Sequence, residues 1–334
     1  MGQLRVVIYG VGAMGQLTAR LLLERGARIT GAIGRVNNVG RDLGEVLGVD
    51  PLGVTISADA GKVLTEAQAD IVVLSVGETM EQAAPHLRSC VEARVNVLSL
   101  SEQVFYPWRC APALAQEIDS LAKQLGVTVS AGGIQDVFWV NPVVVLSGAS
   151  QTIEAIEGLG LGNADDYGPG VAKDVFLGEP ISAFREMTPE ELARPNVFTI
   201  GLEAVAGHLG LTVAGWEQGS RPLTSGSPVK SKVLGRVIEA GDVIGLGTWS
   251  RMGTEQGIAL SGEMQLKVFE EGDVETSRWI IRGVPTLHVE TPHLPGLIAT
   301  CTSIINRIPD IIACEPGFVT IERLPKPRYK PRLW

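Results

Sequence analysis

The segment LRVVIYGVGAMG, residues 4–15, indicates the fold of the first part of this chain. Its first six residues are mostly apolar and indicate a short buried strand, and residues 16–25 continue with the leucine spacing of a helix. Between them, the glycines follow the pattern G-x-G-x-x-G. In this pattern the first glycine permits a tight turn, the second leaves room for a pyrophosphate, and the third lets the helix pack closely on the strand. The sequence therefore predicts a dinucleotide-binding loop made of Gly10, Val11, Gly12, Ala13, Met14 and Gly15.

The first part of the chain continues this alternation of strands and helices. Further β-branched runs occur at residues 28–33, 71–76, 95–100 and 127–130, and helical patterns separate them at 80–93 and 112–125. Apolar strands joined by helices are typical of a parallel sheet that is covered on both faces. We therefore expect an α/β fold with a Rossmann-type, doubly wound parallel sheet in residues 1–140.

The pattern changes after about residue 141. Strands become longer and alternating, at 152–161, 213–218, 242–250, 257–269 and 276–282, with helices at 141–147, 198–209 and 295–307. This predicts an α+β second domain with a mostly antiparallel sheet over residues 141–300, for substrate binding and dimerisation. The segment 301–334 is expected to return to the Rossmann domain.

The composition excludes several classes of protein. The net charge is −9 and no basic stripe is present, which argues against nucleic-acid binding. No apolar run reaches the ~18 residues of a membrane span, and the first residues lack the pattern of a signal peptide. We expect a cytoplasmic protein that binds no membrane. The four cysteines form no C-x-x-C pair and the four histidines no metal-binding pair on one helix face, so no metal site is expected.

The end of the second strand suggests which dinucleotide binds. An acidic residue here would bind the ribose 2′-hydroxyl of NAD, but the sequence has Gly34 and Arg35 instead. A guanidinium can bind a 2′-phosphate through two charge-assisted hydrogen bonds, and Asn37 could add another. We therefore expect NADPH to be preferred, with NADH possible because Arg35 can also stack on adenine. The loop made of Ser75, Val76, Gly77 and Glu78 is expected to lie beside the cofactor, with the first three of these residues in contact with it.

Glu102 is the candidate catalytic residue. It follows the apolar strand 95–100 directly and precedes Phe105, Tyr106 and Trp108. Ligands of open α/β sheets bind beyond the carboxyl ends of the strands, where Glu102 is expected to lie. Burial among aromatic residues would raise its pKa toward neutrality and suit it to proton exchange. A salt-bridged or helix-capping glutamate remains the alternative.

Three segments of the chain resemble a known family. The segments GVGAMG at 10–15, NVLSLSE at 96–102 and TSIINRIPDIIACEPGFVTIERLPKP at 302–327 resemble the dihydrodipicolinate-reductase-like superfamily, and within it the 2,4-diaminopentanoate dehydrogenases and related NAD(P)H-dependent amine dehydrogenases. The resemblance implies reductive amination of a ketone or aldehyde with ammonia, and the reverse oxidative deamination. It also implies that Glu102 is the catalytic carboxylate and that Asn306 lies near the nicotinamide.

Two departures keep alternatives open. Residues 131–141, AGGIQDVFWVN, lack the Asn-Pro-Gly turn of the diaminopentanoate enzymes, which leaves an NADPH-dependent imine or carbonyl reductase that does not use free ammonia. A nucleotide-binding regulatory protein without turnover is a third hypothesis. Residues 150–190 lack the His-His pair, the Lys and the Ser-Gly-Thr loop of true dihydrodipicolinate reductases, so we do not expect that activity.

The substrate pocket and the oligomeric state are predicted from the second part of the chain. We expect a pocket lined by Phe138, Trp139, Asn141, Tyr167 and His208. The strand at 257–269 places Ile258, Leu260, Met264, Leu266 and Val268 in alternation, and an apolar sheet face left open to solvent predicts a homodimer. A helix packed over this face is the alternative.

Overall fold

The chain divides into two compact units. A computed structural model describes residues 2–185 and 187–333, apart from the side chain of residue 190. The first unit comprises residues 1–137 and 297–334, and the second comprises residues 138–296. The C-terminal segment thus belongs to the same unit as the glycine-rich loop.

The first unit is built on a parallel sheet of seven strands. The strand order is β15-β6-β5-β4-β1-β2-β3, which places the strand before the glycine loop in the interior of the sheet. Every pairing in the sheet is parallel, as the alternation of strands and helices predicts. The strands are β1 Arg5–Tyr9, β2 Arg28–Ile33, β3 Ile56–Ser57, β4 Ile71–Leu74, β5 Asn96–Ser99, β6 Thr128–Ala131 and β15 Gly317–Phe318.

Capping residues mark the ends of several helices in this unit. Thr79 and Gln82 form a capping box at the start of α4, and Gly126 ends α6 in the left-handed conformation. The sequence did not predict the three short helices α2, α3 and α5. The helices are α1 Ala13–Glu24, α2 Leu43–Leu47, α3 Ala60–Glu66, α4 Met80–Glu92, α5 Glu102–Phe105, α6 Pro112–Leu125 and α11 Gly296–Ile312.

A buried ion pair joins α11 to the segment after β6. Arg307 is 1% exposed, and its Nε and Nη2 bind the two carboxylate oxygens of Asp136 at 2.5 and 2.8 Å. Its Nη1 also donates to Asp310 and to the carbonyl of Pro325. Because the two acids share the guanidinium, the end of the chain is held to the core of the first unit by charge as well as by apolar packing.

The second unit contains the expected, mostly antiparallel sheet. Its six strands have the order β14-β13-β7-β12-β11-β8, and only the pair β7–β12 is parallel among these described strands. Two short strands form a separate hairpin. The elements are α7 Asn141–Ser147, β7 Thr152–Asn163, α8 Gly168–Asp174, α9 Pro189–Leu192, α10 Val197–His208, β8 Val213–Thr224, β9 Val229–Ser231, β10 Arg236–Ile238, β11 Val243–Thr254, β12 Ala259–Lys267, β13 Thr276–Val284 and β14 Leu287–Pro292.

The apolar face of β12 is covered within the chain, so the expectation of an open face there is wrong. Phe198 of α10 packs so closely on Gly262 that a Cβ there would lie 2.0 Å from its ring. Leu260 and Val268 are 1% and 2% exposed. Helix α10 is apolar around most of its surface, which suits it to a buried position over the sheet.

The sequence predicts no membrane span and no metal site, and the structure bears on these two points only for its described residues. No helix in residues 2–185 or 187–333 is long and apolar enough to cross a membrane. Within the same ranges no group of three or more His, Cys, Asp or Glu side chains could hold a metal ion. The four cysteines are free thiols.

Candidate active site

The three glycines of the phosphate loop have distinct surroundings. Gly10 has a φ of +104°, and a Cβ on it would lie 2.5 Å from the carbonyl oxygen of Ser75. A Cβ on Gly15 would lie 1.8 Å from the carbonyl oxygen of Gly10. A Cβ on Gly12, by contrast, would meet no protein atom within 4 Å. Gly10 and Gly15 are therefore required by packing, whereas Gly12 borders open space where a pyrophosphate fits.

Helix α1 begins at this open space. Gly12 is its N-cap and offers no side chain to the first backbone N–H groups, and its first turn has no acidic residue. Uncapped N–H groups and the positive end of the helix dipole attract phosphate. The residues present thus fit the pyrophosphate of a dinucleotide.

Hydrogen bonds join three loops at the carboxyl edge of the sheet. Ser75 after β4 donates from Oγ to the carbonyl of Gly10 at 3.0 Å. Ser101 after β5 donates from Oγ to the carbonyl of Val76 at 3.2 Å. The phosphate loop, the 75–79 loop and the loop that carries Glu102 are therefore held as one assembly.

Glu102 is the first residue of α5, at the edge where β5 ends. The residue is exposed at its surface, yet the surrounding protein desolvates its carboxyl. This desolvation and, second, the negative charge of Glu78 raise the pKa to about 7. A carboxyl that titrates near neutral pH can both donate and accept a proton, as acid–base catalysis requires.

The aromatic residues that follow Glu102 have other partners. Phe105 is 2% exposed in the core. Trp108 donates from Nε1 to Thr320 Oγ1 at 2.8 Å and packs edge-on against Phe318. Trp108 therefore helps to hold the C-terminal segment. The second cause of the raised pKa of Glu102 is the charge of Glu78, in the loop that the sequence predicts beside the cofactor.

The loop after β2 carries the positively charged Arg35, whose charge acts on the neighbouring pair Tyr9 and His86. Arg35 and Asn37 are exposed, and the N–H of Gly34 donates to the carbonyl of Ser57. Tyr9 Oη and His86 Nδ1 lie 2.8 Å apart, and the charge of Arg35 acts on both groups. Burial and Arg35 together lower the pKa of His86, so its ring is neutral at pH 7. Arg35 thus brings a positive charge to this corner of the sheet.

Helix α11 approaches the phosphate loop through its first half. Cys301 Sγ lies 3.8 Å from the carbonyl of Met14, and Ile304 lies near Gly132 after β6. Asn306 has a different contact, since its Oδ1 accepts the backbone N–H of Lys330 at 3.1 Å. The contact of Asn306 with a nicotinamide stays a prediction, and its observed partner is the end of the chain.

Two of the predicted pocket residues lie near the start of α10 in the second unit. Trp139 is 4% exposed and stacks on Phe198 with ring centroids 4.4 Å apart, so it has little surface to offer a ligand. The carbonyl of Phe138 accepts hydrogen bonds from Ser277 Oγ and Trp279 Nε1. Phe138 is half-buried.

The other three predicted pocket residues are spread over the second unit. Asn141 begins α7 and is 5% exposed. His208 ends α10, about 15 Å from Phe198 along the helix at 1.5 Å per residue. Tyr167 donates to Glu275 Oε1 at 3.4 Å. The structure therefore does not bring His208 to Trp139, and substrate contact by this set stays a prediction.

Residues 139–330 match the family model of the 2,4-diaminopentanoate dehydrogenase C-terminal domain. The chain is also 30% identical to 2,4-diaminopentanoate dehydrogenase of Acetoanaerobium sticklandii, over 98% of this chain and 95% of that protein. The chain belongs to the 2,4-diaminopentanoate dehydrogenase family. The unusual residues 131–141 do not remove it from this family.

Other similarities agree with this assignment. Residues 4–99 match the family model of the dihydrodipicolinate reductase N-terminus. A solved amine dehydrogenase from Mycobacterium smegmatis is 38% identical, with 99% of this chain and 98% of that chain covered and a TM-score of 0.90. A probable dehydrogenase from Thermotoga maritima shares the fold, at 14% identity, 96% and 92% coverage and a TM-score of 0.59. The predictions of a Rossmann-type fold and of an NAD(P)-dependent amine dehydrogenase are confirmed.

Sequence reasoning placed Glu78 in the loop beside the cofactor without connecting it to Glu102, and it did not identify Gln103. Glu78 follows β4 as Glu102 follows β5, so the signal that identified Glu102 was also present for Glu78. Gln103 carries no comparable signal. Its side chain is buried and accepts the backbone N–H of Met80 at 2.9 Å, a contact between residues 23 positions apart.

Proposed function

We propose that this protein reductively aminates a ketone or aldehyde with ammonia, preferring NADPH, and catalyses the reverse oxidative deamination with Glu102 as the catalytic acid–base. The observation that carries the proposal is the place of Glu102. Its loop is hydrogen-bonded to the 75–79 loop, which is bonded in turn to the phosphate loop. The pKa of Glu102 near 7 supports the proton transfers that this reaction needs.

Glu102 would act twice on the substrate. Ammonia adds to the carbonyl to give a carbinolamine, and the protonated carboxyl of Glu102 donates a proton to the leaving hydroxyl, which departs as water. The resulting carboxylate then stabilises the positive iminium. NADPH, when bound, supplies the hydride that converts the iminium carbon into the amine. In the oxidative direction, the carboxylate of Glu102 accepts a proton from the water that attacks the iminium carbon.

The preference for NADPH rests on Arg35. The loop after β2 carries this exposed guanidinium, and the acidic residue that would repel a 2′-phosphate at the end of β2 is replaced by Gly34 and Arg35. A planar guanidinium suits the two parallel hydrogen bonds of a phosphate. NADH remains usable because Gly12 and the start of α1 serve the pyrophosphate that both cofactors share.

The test compares Glu102→Gln with Glu92→Gln, an exposed glutamate at the end of α4. Each variant is assayed with a panel of ketones, ammonia and NADPH, and NADPH binding is measured separately. Glu102→Gln should lose about 10²–10⁴-fold in rate with its NADPH affinity intact, because an acid–base group contributes that much. Full activity in this variant contradicts the proposal. NADPH oxidation that does not depend on ammonia favours an imine or carbonyl reductase instead.

A homodimer is proposed on a different surface from the one the sequence suggested. The face of the second sheet opposite α10 carries Leu159, Trp249 and Ile280. Three Arg–Glu pairs surround them, so the face offers both charge signs to a second copy of itself: Arg221–Glu263, Arg251–Glu217 and Arg282–Glu157. Light scattering at micromolar concentration should give a dimer that Ile280→Glu converts to a monomer. A monomeric native protein contradicts the proposal.

A reducing cytoplasm is the proposed location, supported by the four free thiols.

A further inference from the structure

Glu102 lies between two buried residues. Ser101 is 5% and Gln103 is 8% exposed, whereas Glu102 itself is exposed. Val104 and Phe105, which complete the four-residue helix α5, are also buried. The backbone on both sides of Glu102 is therefore packed into the protein, while the glutamate keeps access to the edge of the sheet.

The hydroxyl of Ser101 does not cap helix α5. Ser101 is the N-cap residue of this helix, and a serine at an N-cap ordinarily accepts a hydrogen bond from an N–H of the first turn. The side chain of Ser101 makes no capping bond, and its Oγ donates instead to the carbonyl of Val76 at 3.2 Å. The hydroxyl therefore holds the loop that carries Glu102 to the 75–79 loop and does not stabilise α5 locally.

Ser99 orients this hydroxyl. Ser99 is fully buried, and its Oγ accepts the backbone N–H of Ser101 and donates to Ser101 Oγ, each at 3.0 Å. A hydroxyl has one proton to donate, so the bond from Ser99 leaves the proton of Ser101 Oγ for the carbonyl of Val76. The carbonyl of Ser99 accepts the N–H of Gly132, which fixes this end of β5 to the residue after β6.

Gln103 anchors the chain on the other side of Glu102. Its backbone N–H donates to the carbonyl of Glu78 at 3.2 Å, and its side-chain Oε1 accepts the N–H of Met80 at 2.9 Å. Met80 is the first residue of α4, where backbone N–H groups have no partner within the helix. Gln103 therefore joins the segment that carries Glu102 both to the 75–79 loop and to the start of α4.

We propose that Ser101 and Gln103 are positioning residues that fix the carboxyl of Glu102 relative to the 75–79 loop, with Ser99 acting through Ser101. The inference rests on the proposed function, since it takes Glu102 as the catalytic group. The 75–79 loop is itself hydrogen-bonded to the phosphate loop, so these bonds tie the position of the carboxyl to the backbone that fits the pyrophosphate. Position matters because a displacement of about 1 Å can lower a rate about 10²-fold.

The experiment measures kcat, the KM of the ketone and the Kd of NADPH, with the ketone that the native protein aminates fastest. Ser101→Ala and Gln103→Met each remove one anchor, and each should lower kcat about 10- to 100-fold. The Kd of NADPH should stay near its native value because the phosphate loop is unchanged. The same two changes on the exposed surface of α6, Ser120→Ala and Gln116→Met, should leave kcat unchanged.

Double variants test whether the anchors act through Glu102. In Glu102→Gln the residual rate, measured in a single turnover, should not fall further when Ser101→Ala or Gln103→Met is added. A further fall would show a general disturbance of the site and overturns the inference. Ser99→Ala together with Ser101→Ala should be about as slow as Ser101→Ala alone, because both changes remove the same link. Additive losses contradict the role given to Ser99.

The outcomes separate this inference from the proposed function. If Glu102→Gln is inactive while both anchor variants keep the native kcat, the inference fails and the proposed function stands. If Glu102→Gln keeps native activity, the proposed function fails, whatever the anchor variants do. A loss confined to NADPH affinity also overturns the inference. Urea unfolding checks that each variant is folded, and if Gln103→Met does not fold, Ser101→Ala and Ser99→Ala decide.

Discussion

Replacing Gly12 by alanine should separate dinucleotide binding from the stability of the fold. Gly12 has a φ of −82° and a ψ of −169°, a conformation open to alanine, and its added Cβ would meet no protein atom within 4 Å. The same change at Gly15 would place a Cβ 1.8 Å from a backbone oxygen, and at Gly10 it would also force an alanine to a φ of +104°. Only the first of the three changes leaves the folded chain undisturbed.

The magnitudes follow from these contacts. Alanine at an N-cap costs about 0–1 kcal/mol relative to glycine, so the urea midpoint of Gly12→Ala should stay near the native value. The new methyl group occupies the approach of the pyrophosphate. Loss of one hydrogen bond to a charged group, about 1.5–3 kcal/mol, weakens NADPH binding by about 10- to 150-fold.

The assay is a fluorescence titration with NADPH alongside urea unfolding without cofactor. Gly15→Ala is the matched control, since it should lose at least about 1–3 kcal/mol of folding free energy through overpacking. A Gly12→Ala variant that binds NADPH within twofold of the native protein would contradict the role given to Gly12. Equal losses of stability in Gly12→Ala and Gly15→Ala would contradict the difference in their packing.

The remaining predictions concern charged groups. Arg35→Ala should weaken NADPH by about 10- to 150-fold and leave the Kd of NADH nearly unchanged; equal weakening of both would mean that Arg35 stacks on adenine. Arg307→Met should lower the free energy of unfolding by about 3–5 kcal/mol in urea because it leaves Asp136 buried without its cation, whereas the exposed Arg221→Met should change it by less than about 1 kcal/mol; similar losses would contradict the distinction. The folded pKa of Glu102 is about 7 against an ordinary 4.5, so ionisation opposes folding and stability falls as pH rises through this window. The Tm of Glu102→Gln should therefore be higher than that of the native protein at pH 8 and equal to it at pH 4. A lower Tm at pH 8 would contradict this prediction.

Much of the fold could be predicted because it depends on neighbours in sequence. The strand–glycine–helix order at residues 4–24 and the capping residues around α4 and α6 act over a few positions. The prediction for α11 stopped at residue 307, two residues before Pro309. The structure continues this helix to Ile312, because Ile308 and Ile311 are fully buried in the core and this burial outweighs the hydrogen bond that proline removes.

The phosphate loop could be predicted from sequence alone, because the strand, the G-x-G-x-x-G turn and the helix follow one another in the chain, and Gly15 packs on Gly10 of the same turn. The sequence also placed Glu102 at the end of a strand, which is a local property. The pairing of β4 with β5, and the backbone hydrogen bond from Gln103 to Glu78 that follows from it, depend on the tertiary structure. It likewise decided that α10 covers the apolar face of β12. The pairing of β4 with β5 and the packing of α10 on β12 depend on contacts between residues far apart in the chain. Neither periodicity nor a short motif predicts such contacts, because strand order and helix docking minimise exposed apolar surface over the whole unit.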